Sequence, residues 1–461
     1  MQFFSHLSAA TSMFLIGALP CLVLGCQSAP STVRAPVTDD TGTRIDDPQP
    51  GDDDDTPYGP ALYPDAQLHS PITTYVINTL QDIASVSPNT SDKVFIKIGD
   101  SHTVSSSALH CFAGDNVDLD IHHDLQPTLD HFLGGDADGE TPFERHSEAA
   151  EGGMSSNWVI GGNPSPLDTE IAALNPSFAL IQFGTNDMEM GITHASSMWG
   201  YYENMTVLLD QCLDGGIIPV LMGIPHRGDD TEAGWWVRPY NDIIRGLAQT
   251  RQTPFIDLYL ALDQVAGDGL AGDGVHLNTA PQGSCQMTAD GLEYGNNVRN
   301  LAWLSALDRV LTAIDGDPLD PTEEVLVGDG SPEDPFEIPQ LPFSDFRDTS
   351  SSPNSNFDLY SGCGSDSDES GPEVMYRLEL TERTAFRAIV LDEADVDIDI
   401  HLLDDKATAE GCLQRAHHYV AATLDPGTYH LVLDTYVKDG IPQSGEYMLV
   451  VSLCHPDDPC E

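Results

Sequence analysis

Val94-Phe95-Ile96-Lys97-Ile98-Gly99-Asp100-Ser101 is the stretch on which the fold turns. Four apolar residues in five read as a buried strand, which breaks at once into Gly-Asp-Ser-His-Thr. Open α/β sheets gather their ligands outside the carboxyl ends of parallel strands, and Ser101 stands at such an end. Alone the tripeptide is a weak signal, because a serine there serves equally well as a turn or helix-cap residue. Three further segments give it company: Glu151-Gly152-Gly153-Met154-Ser155, Gly184-Thr185-Asn186-Asp187 and Asp273-Gly274-Val275-His276.

Around these segments, helix and strand patterns alternate over residues 57–314. Residues 72–86 carry apolar side chains at helical spacing, as do 198–213 and 298–314. Residues 178–183, 217–222 and 254–258 are apolar runs of strand length. Near-continuous apolar strands separated by helices predict a parallel sheet covered on both faces. Residues 315–340, rich in Asp, Pro and Gly, read as a linker. In residues 341–461 the pattern changes to short period-two strands at 375–380, 395–402, 429–433 and 447–451. Asp425-Pro426-Gly427-Thr428 is a turn between two of them, and a small all-β sandwich is expected.

In order and spacing, the four segments resemble the four blocks of the SGNH (GDSL-type) hydrolases, over roughly residues 57–314. The resemblance implies a three-layer α/β/α fold with a flavodoxin-like parallel sheet. The C-terminal part resembles the bacterial pre-peptidase C-terminal type of domain through Tyr376-Arg377-Leu378, the run from Asp395 to Leu403 and Leu424-Asp425-Pro426-Gly427-Thr428-Tyr429. That likeness implies an accessory module on an exported enzyme.

The chemistry follows from residue types. A serine hydroxyl is a weak nucleophile until a neighbouring base activates it. Ser101 is the candidate nucleophile and His276 the candidate base, since imidazole titrates near neutral pH. Asp273, three residues before His276, can hold the ring tautomer and stabilise the imidazolium. The family resemblance implies an oxyanion hole made by the backbone N–H groups of Ser101 and Gly153 and by the Asn186 side chain. Gly152 competes with Gly153; the Gly-x-Ser context of Ser155 favours Gly153. Two features depart from the common pattern: Thr103-Val104-Ser105 where many members have a glycine, and Leu277 after His276 instead of proline. The Gly-x-Ser-x-Gly elbow of α/β-hydrolases is absent around Ser101. The expected activity is a serine esterase acting through an acyl-serine on acyl or acetyl esters of carbohydrates or lipids, with no cofactor. An acyltransferase or a non-catalytic carbohydrate-binding surface protein on the same scaffold are the alternatives.

Other clusters are read as structural. Asp118, Asp120, His122, His123 and Asp124 form a solvated acidic loop, and Asp395, Asp397 and Asp399 an exposed polar strand face; no metal site is assigned. His102 and His226 each follow a strand end and are candidates for the rim of the site.

The 461 residues carry 74 acidic and 18 basic side chains, a net charge of −56. Such a surface repels phosphate backbones and anionic lipid, which excludes nucleic-acid binding. Residues 13–25 are almost all apolar or small and end at Cys26. Residues 1–26 therefore read as an export signal, and Val23-Leu24-Gly25-Cys26 as a lipobox with Cys26 the lipidated residue. Residues 1–12 lack Lys and Arg, and ordinary cleavage after Ala29 is the alternative. Membrane contact is expected only through that anchor, with the protein held at a bacterial cell envelope or secreted. Residues 27–56, with Asp52-Asp53-Asp54-Asp55, read as a disordered acidic spacer. Export favours disulfides. Seven cysteines follow Cys26, so one thiol stays unpaired in the expected monomer. Cys363 with Cys412 and Cys454 with Cys460 are the expected pairs.

Overall fold

The structure is a computed structural model and describes residues 59–460, except 317, 321–324 and 365. The export signal, Cys26 and the acidic spacer lie outside the described residues.

A four-stranded parallel sheet, in the order β1 (Ser91–Gly99), β2 (Pro176–Gln182), β3 (Ile218–Met222) and β4 (Phe255–Ile256), forms the first core. Beyond β1 the chain adds a single bridging residue. Gly99 N donates to Ala149 O at 3.1 Å and Glu151 N to Gly99 O at 3.1 Å, which sets Ala150 beside β1. Counting that bridge as a strand gives the flavodoxin-like order, with its second strand reduced to one residue. The helices α1 (Thr74–Val86), α2 (Ser101–Val104), α3 (Gln126–Leu133), α4 (Ser156–Ile160), α5 (Pro166–Leu174), α6 (Met198–Asp214), α7 (Thr231–Arg251), α8 (Leu258–Leu262) and α9 (Gly295–Ile314) complete the α/β architecture. One packed group joins α1, α3 and α9, and another joins α4 to α7.

The expected strand at 254–258 is shorter than its apolar run. Asp257 ends it by capping α8, its Oδ1 accepting from Leu260 N at 2.9 Å. The 21-residue α7 has no counterpart in the sequence reading, for a physical reason. An amphipathic stripe marks a helix buried on one side, whereas α7 buries every residue from Pro239 to Ala248. Pro239 inside it further obscures the pattern.

What covers the second side of α7 is the β-sandwich. Its sheets run β10 (Cys412–Ala416), β9 (Ile398–Leu403), β12 (Gly427–Thr435), β7 (Glu373–Leu380), β5 (Phe336–Ile338) and β11 (Tyr419–Leu424), β8 (Thr384–Asp392), β15 (Glu446–Leu453), β6 (Phe343–Asp348), with a small β13 (Val437–Lys438), β14 (Ile441–Pro442) pair. Strand β5 lies inside the stretch read as linker, and strand structure begins only at Ile398, so Asp395 and Asp397 precede β9. In β15, Tyr447, Leu449 and Val451 enter the sandwich core, while Met448 and Val450 join the α/β core. In β8, Phe386, Ala388 and Val390 face inward, and Ile389 and Leu391 face the α/β core. Period-two alternation thus sends one strand's side chains into two cores. Full burial of side chains of this kind stabilises by about 1.5–3 kcal/mol each, so residues 56–461 form one compact unit. Polar ties add to it: Trp199 Nε1 donates to Val390 O at 3.1 Å and Gln249 Nε2 to Ser344 O at 2.7 Å.

Disulfides join Cys111–Cys285, Cys363–Cys412 and Cys454–Cys460, and the odd cysteine is the buried Cys212. The first of these was not anticipated from the sequence.

Gly246 marks a close approach of α7 to the sandwich. A Cβ there would lie 2.8 Å from Met448 Sδ and 2.9 Å from Ser344 Cβ. Gly246→Val is expected to destabilise by about 1–3 kcal/mol through overpacking, despite the higher helix propensity of Val over Gly. Urea unfolding checks this, and an unchanged midpoint would contradict the close packing.

Candidate active site

Strand β1 delivers Ser101 directly into a helical turn. Gly99 fits at the junction because a Cβ there would lie 2.1 Å from Thr103 Oγ1 and 2.5 Å from Gln182 O. Asp100 caps the turn, its Oδ1 accepting from His102 N at 2.9 Å. Ser101 Oγ then lies 2.9 Å from His276 Nε2, and His276 Nδ1 lies 2.7 Å from Asp273 Oδ2. The Asp273–His276 loop is a self-contained unit. Asp273 Oδ1 accepts from Val275 N at 3.1 Å and His276 N at 3.0 Å while Oδ2 takes the ring. These bonds, led by that to the His276 ring, hold the Asp273 carboxyl down at about 2. It is therefore ionised throughout the neutral range. The side chains of His276 and Asp273 are 46% and 52% exposed, so water reaches the base.

The second and third blocks meet beside the serine. A Cβ on Gly152 would lie 3.7 Å from Ser101 Cβ, whereas Gly153, at φ +80°, has open space where its Cβ would be. Asn186 Nδ2 lies 3.0 Å from Met154 O and 3.2 Å from Asp100 Oδ2. Asp187 closes the join, its Oδ1 accepting from Ser156 N at 2.8 Å and Ser156 Oγ at 2.5 Å. The structure thus places Gly152 against Ser101, and Asn186 against Met154 and Asp100, the chain neighbours of Gly153 and Ser101.

Behind them sits a group the sequence reading did not single out. Arg299 of α9 is 1% exposed. Its Nη1 donates to His102 O at 2.8 Å and its Nη2 to Asn296 Oδ1 at 2.7 Å. Asn296 Nδ2 in turn donates to Leu277 O at 2.8 Å. One guanidinium therefore ties the turn after Ser101 to the residue after His276. Asn300 repeats the tie further on, donating to Ser107 O at 2.8 Å and Ser284 O at 3.0 Å. The Cys111–Cys285 disulfide makes it covalent, and closing so long a loop is worth about 5 kcal/mol in the chain-entropy account. The same arginine bears on Asp100. Burial pushes the Asp100 carboxyl up to about 7; the His102 N–H opposes this, the Asp187 charge adds to it, and the charges of His276 and Arg299 pull it back. Burial, reinforced by Arg299, holds the His102 ring down at about 3, so it is neutral; it lies 5.3 Å from the His276 ring.

His226 lies elsewhere in its contacts: it stacks on Tyr259 at 3.6 Å and its Nε2 is 3.1 Å from Asp263 Oδ1. Asp118, Asp120, His123 and Asp124 are exposed, and Asp118 bridges to Gln286. Among the described residues the one group able to converge on a cation is Asp397, Asp399 and His417. Arg415 already pairs with Asp399 and Glu369 there. The signal that could have revealed Arg299 is a charge on the otherwise core-forming face of the last helix.

Asn186 is anchored by Asp100 as a carboxylate, and removing the nearby cation favours the protonated acid. Arg299→Met is therefore expected to move the acid limb of kcat/KM to higher pH and to lower kcat/KM at neutral pH by about 10-fold, with partial rescue in Arg299→Lys. In an Asn186→Ala background the Arg299 effect should shrink, because the donor it steadies is gone. An acid limb unmoved by Arg299→Met would remove the electrostatic role.

Residues 98–281 match the sequence model of the GDSL-like lipase/acylhydrolase family. No curated protein matches the chain. Among solved structures, the chain is similar to a GDSL-like lipase from Bacteroides thetaiotaomicron, with 14% identity, a TM-score of 0.30, and 51% of this chain and 98% of that one covered. It is similar to an acetylxylan esterase from Geobacillus stearothermophilus, with 12% identity, a TM-score of 0.31 and coverage of 47% and 95%. It is also similar to the pre-peptidase C-terminal domain of a Bacillus anthracis collagenase, with 16% identity, a TM-score of 0.17 and coverage of 25% and 92%. Residues 98–281 thus form a domain of the GDSL-like lipase/acylhydrolase family, and the protein is a hydrolase of carboxylic esters.

Proposed function

We propose that this chain is an exported serine esterase in which Ser101 is the nucleophile, His276 the base and Asp273 its orienting partner. The observation that carries the reading is the continuous relay from Ser101 Oγ to His276 Nε2 at 2.9 Å and from His276 Nδ1 to Asp273 Oδ2 at 2.7 Å. His276 takes the hydroxyl proton as Ser101 Oγ attacks the ester carbonyl. The oxyanion is received by the N–H groups of Ser101 and Gly153 and by Asn186 Nδ2, which releases its longer, 3.2 Å contact with Asp100 Oδ2 to free one N–H. His276 returns the proton to the leaving alcohol, and an acyl-serine remains. Water, deprotonated by His276, then attacks the acyl carbon; Ser101 recovers its proton and the carboxylic acid departs.

The half-exposed His276 and Asp273 favour hydrolysis over transfer to a second alcohol, since solvent reaches the base. The intact relay speaks against a binding protein that only retains the fold. Three disulfides support export to an oxidising compartment. Among the described residues no helix is long and apolar enough to cross a membrane. Attachment is through a lipid on Cys26, the protein is a monomer, and no cofactor takes part. The substrate is an acyl or acetyl ester of a carbohydrate or lipid.

Hydrolysis of p-nitrophenyl acetate, butyrate and dodecanoate by residues 57–461 tests this reading beside Ser101→Ala. The variant is expected to lose at least about 1000-fold in kcat, and Asn186→Ala about 100- to 1000-fold. Equal rates in wild type and Ser101→Ala would overturn the assignment.

A further inference from the structure

A cleft of about 210 Å³ opens between the second and third blocks and α6. Its walls begin one residue from the proposed oxyanion donors. Ser155 follows Met154, whose carbonyl is 3.0 Å from Asn186 Nδ2, and Asp187 follows Asn186. Consecutive Cα atoms are about 3.8 Å apart, so the cleft wall at Asp187 starts that far along the backbone from Asn186.

The lining decides what it takes. Asn204 is a half-buried amide on α6 with no hydrogen bond recorded to the rest of the described chain. Asn157 uses its Oδ1 to accept from Ser155 Oγ at 2.7 Å, which leaves its amide N–H groups for a ligand. Gly200 contributes bare backbone, and a Cβ there would meet nothing within 4 Å. Asp187 is the one carboxylate in the lining, and its Oδ1 is committed to Ser156; no cationic side chain is present among the described lining residues. At the lip Met190 is 62% exposed, and two residues on Ile192 is fully exposed.

The Ser155, Ser196, Ser197 and Tyr201 hydroxyls already donate within the chain, but the amides of Asn157 and Asn204 have spare donors and match a neutral polyhydroxylated ligand, because each ligand hydroxyl must be re-paired when it leaves water. An acyl chain would leave these groups unpaired. An anionic headgroup or uronate would find no cation and a protein of net charge −56. The exposed apolar lip suits the C–H face of a pyranose ring.

We infer that this cleft is the subsite for a neutral sugar residue that forms the alcohol part of the ester, with Asn157 and Asn204 as its specificity determinants. The inference rests on the esterase reading above and narrows its substrate to acetylated neutral carbohydrate.

The test compares β-D-glucose pentaacetate, p-nitrophenyl acetate and p-nitrophenyl dodecanoate as substrates of the full chain, its Asn204→Ala and Gly200→Leu variants, and Ser101→Ala. A Cβ at Gly200 meets nothing within 4 Å, so Gly200→Leu grows into the cleft, and it raises helix propensity; Asn204→Ala removes no side-chain hydrogen bond within the described chain. Both variants are expected to lower the ratio of kcat/KM for the sugar acetate to that for p-nitrophenyl acetate by at least about tenfold, chiefly through KM. An unchanged ratio overturns the sugar subsite, as does a selective loss on the dodecanoate, which would make the cleft an acyl trough. Either result leaves the esterase reading standing if Ser101→Ala is inactive on p-nitrophenyl acetate. Activity retained by Ser101→Ala would instead bring down the esterase reading.

Discussion

The buried guanidinium of Arg299 is the constraint on which the site depends. Ser101 and His276 lie 175 residues apart in sequence, and neither loop is positioned by its own sheet alone. Arg299 holds the turn after the serine and, through Asn296, the residue after the histidine. A buried cation is costly unless hydrogen bonds and a nearby carboxylate offset its desolvation. Asp100 is that carboxylate, and it is also the acceptor for Asn186. One charge in the core therefore couples the segments that carry Ser101, His276 and Asn186. The disulfide from Cys111 to Cys285 and the Asn300 bonds carry the same tie outward along the two segments.

The second constraint is the sharing of side chains between cores. Helix α7 has the sheet on one side and the sandwich on the other. Strands β8 and β15 alternate between the sandwich interior and the α/β core. Arg387 shows how tightly the join is made: it pairs with Asp458 while its guanidinium lies over the Trp236 ring at 4.3 Å. A C-terminal unit attached in this way buttresses the α/β layer, in contrast to a module swinging on a linker. The stretch read as a linker accordingly contains strand β5.

Local chemistry was legible wherever a short segment determines its own structure. The Asp273-to-His276 loop folds on itself, with one carboxylate serving two backbone N–H groups and the ring. The apolar run into Gly99 reads as a strand from its own residues and is one in the fold, and Gly99 is required there by backbone crowding. Helix α7 was illegible because burial on every side erases amphipathic periodicity. The run at 254–258 looked like a longer strand because a capping aspartate and an apolar continuation share one composition.

The sequence by itself determined the parallel α/β layer and the all-β C-terminal part, since strand periodicity and turn chemistry are local properties; two of the three disulfides were expected, and the grouping of Ser101, Gly153, Asn186, Asp273 and His276 was what the resemblance to the SGNH hydrolases implied. Only the tertiary structure decided what holds them. Arg299, the Cys111–Cys285 link, the merging of two cores through α7, and the neutral cleft beside Asn186 arise from contacts between residues far apart in the chain, for which no local pattern exists.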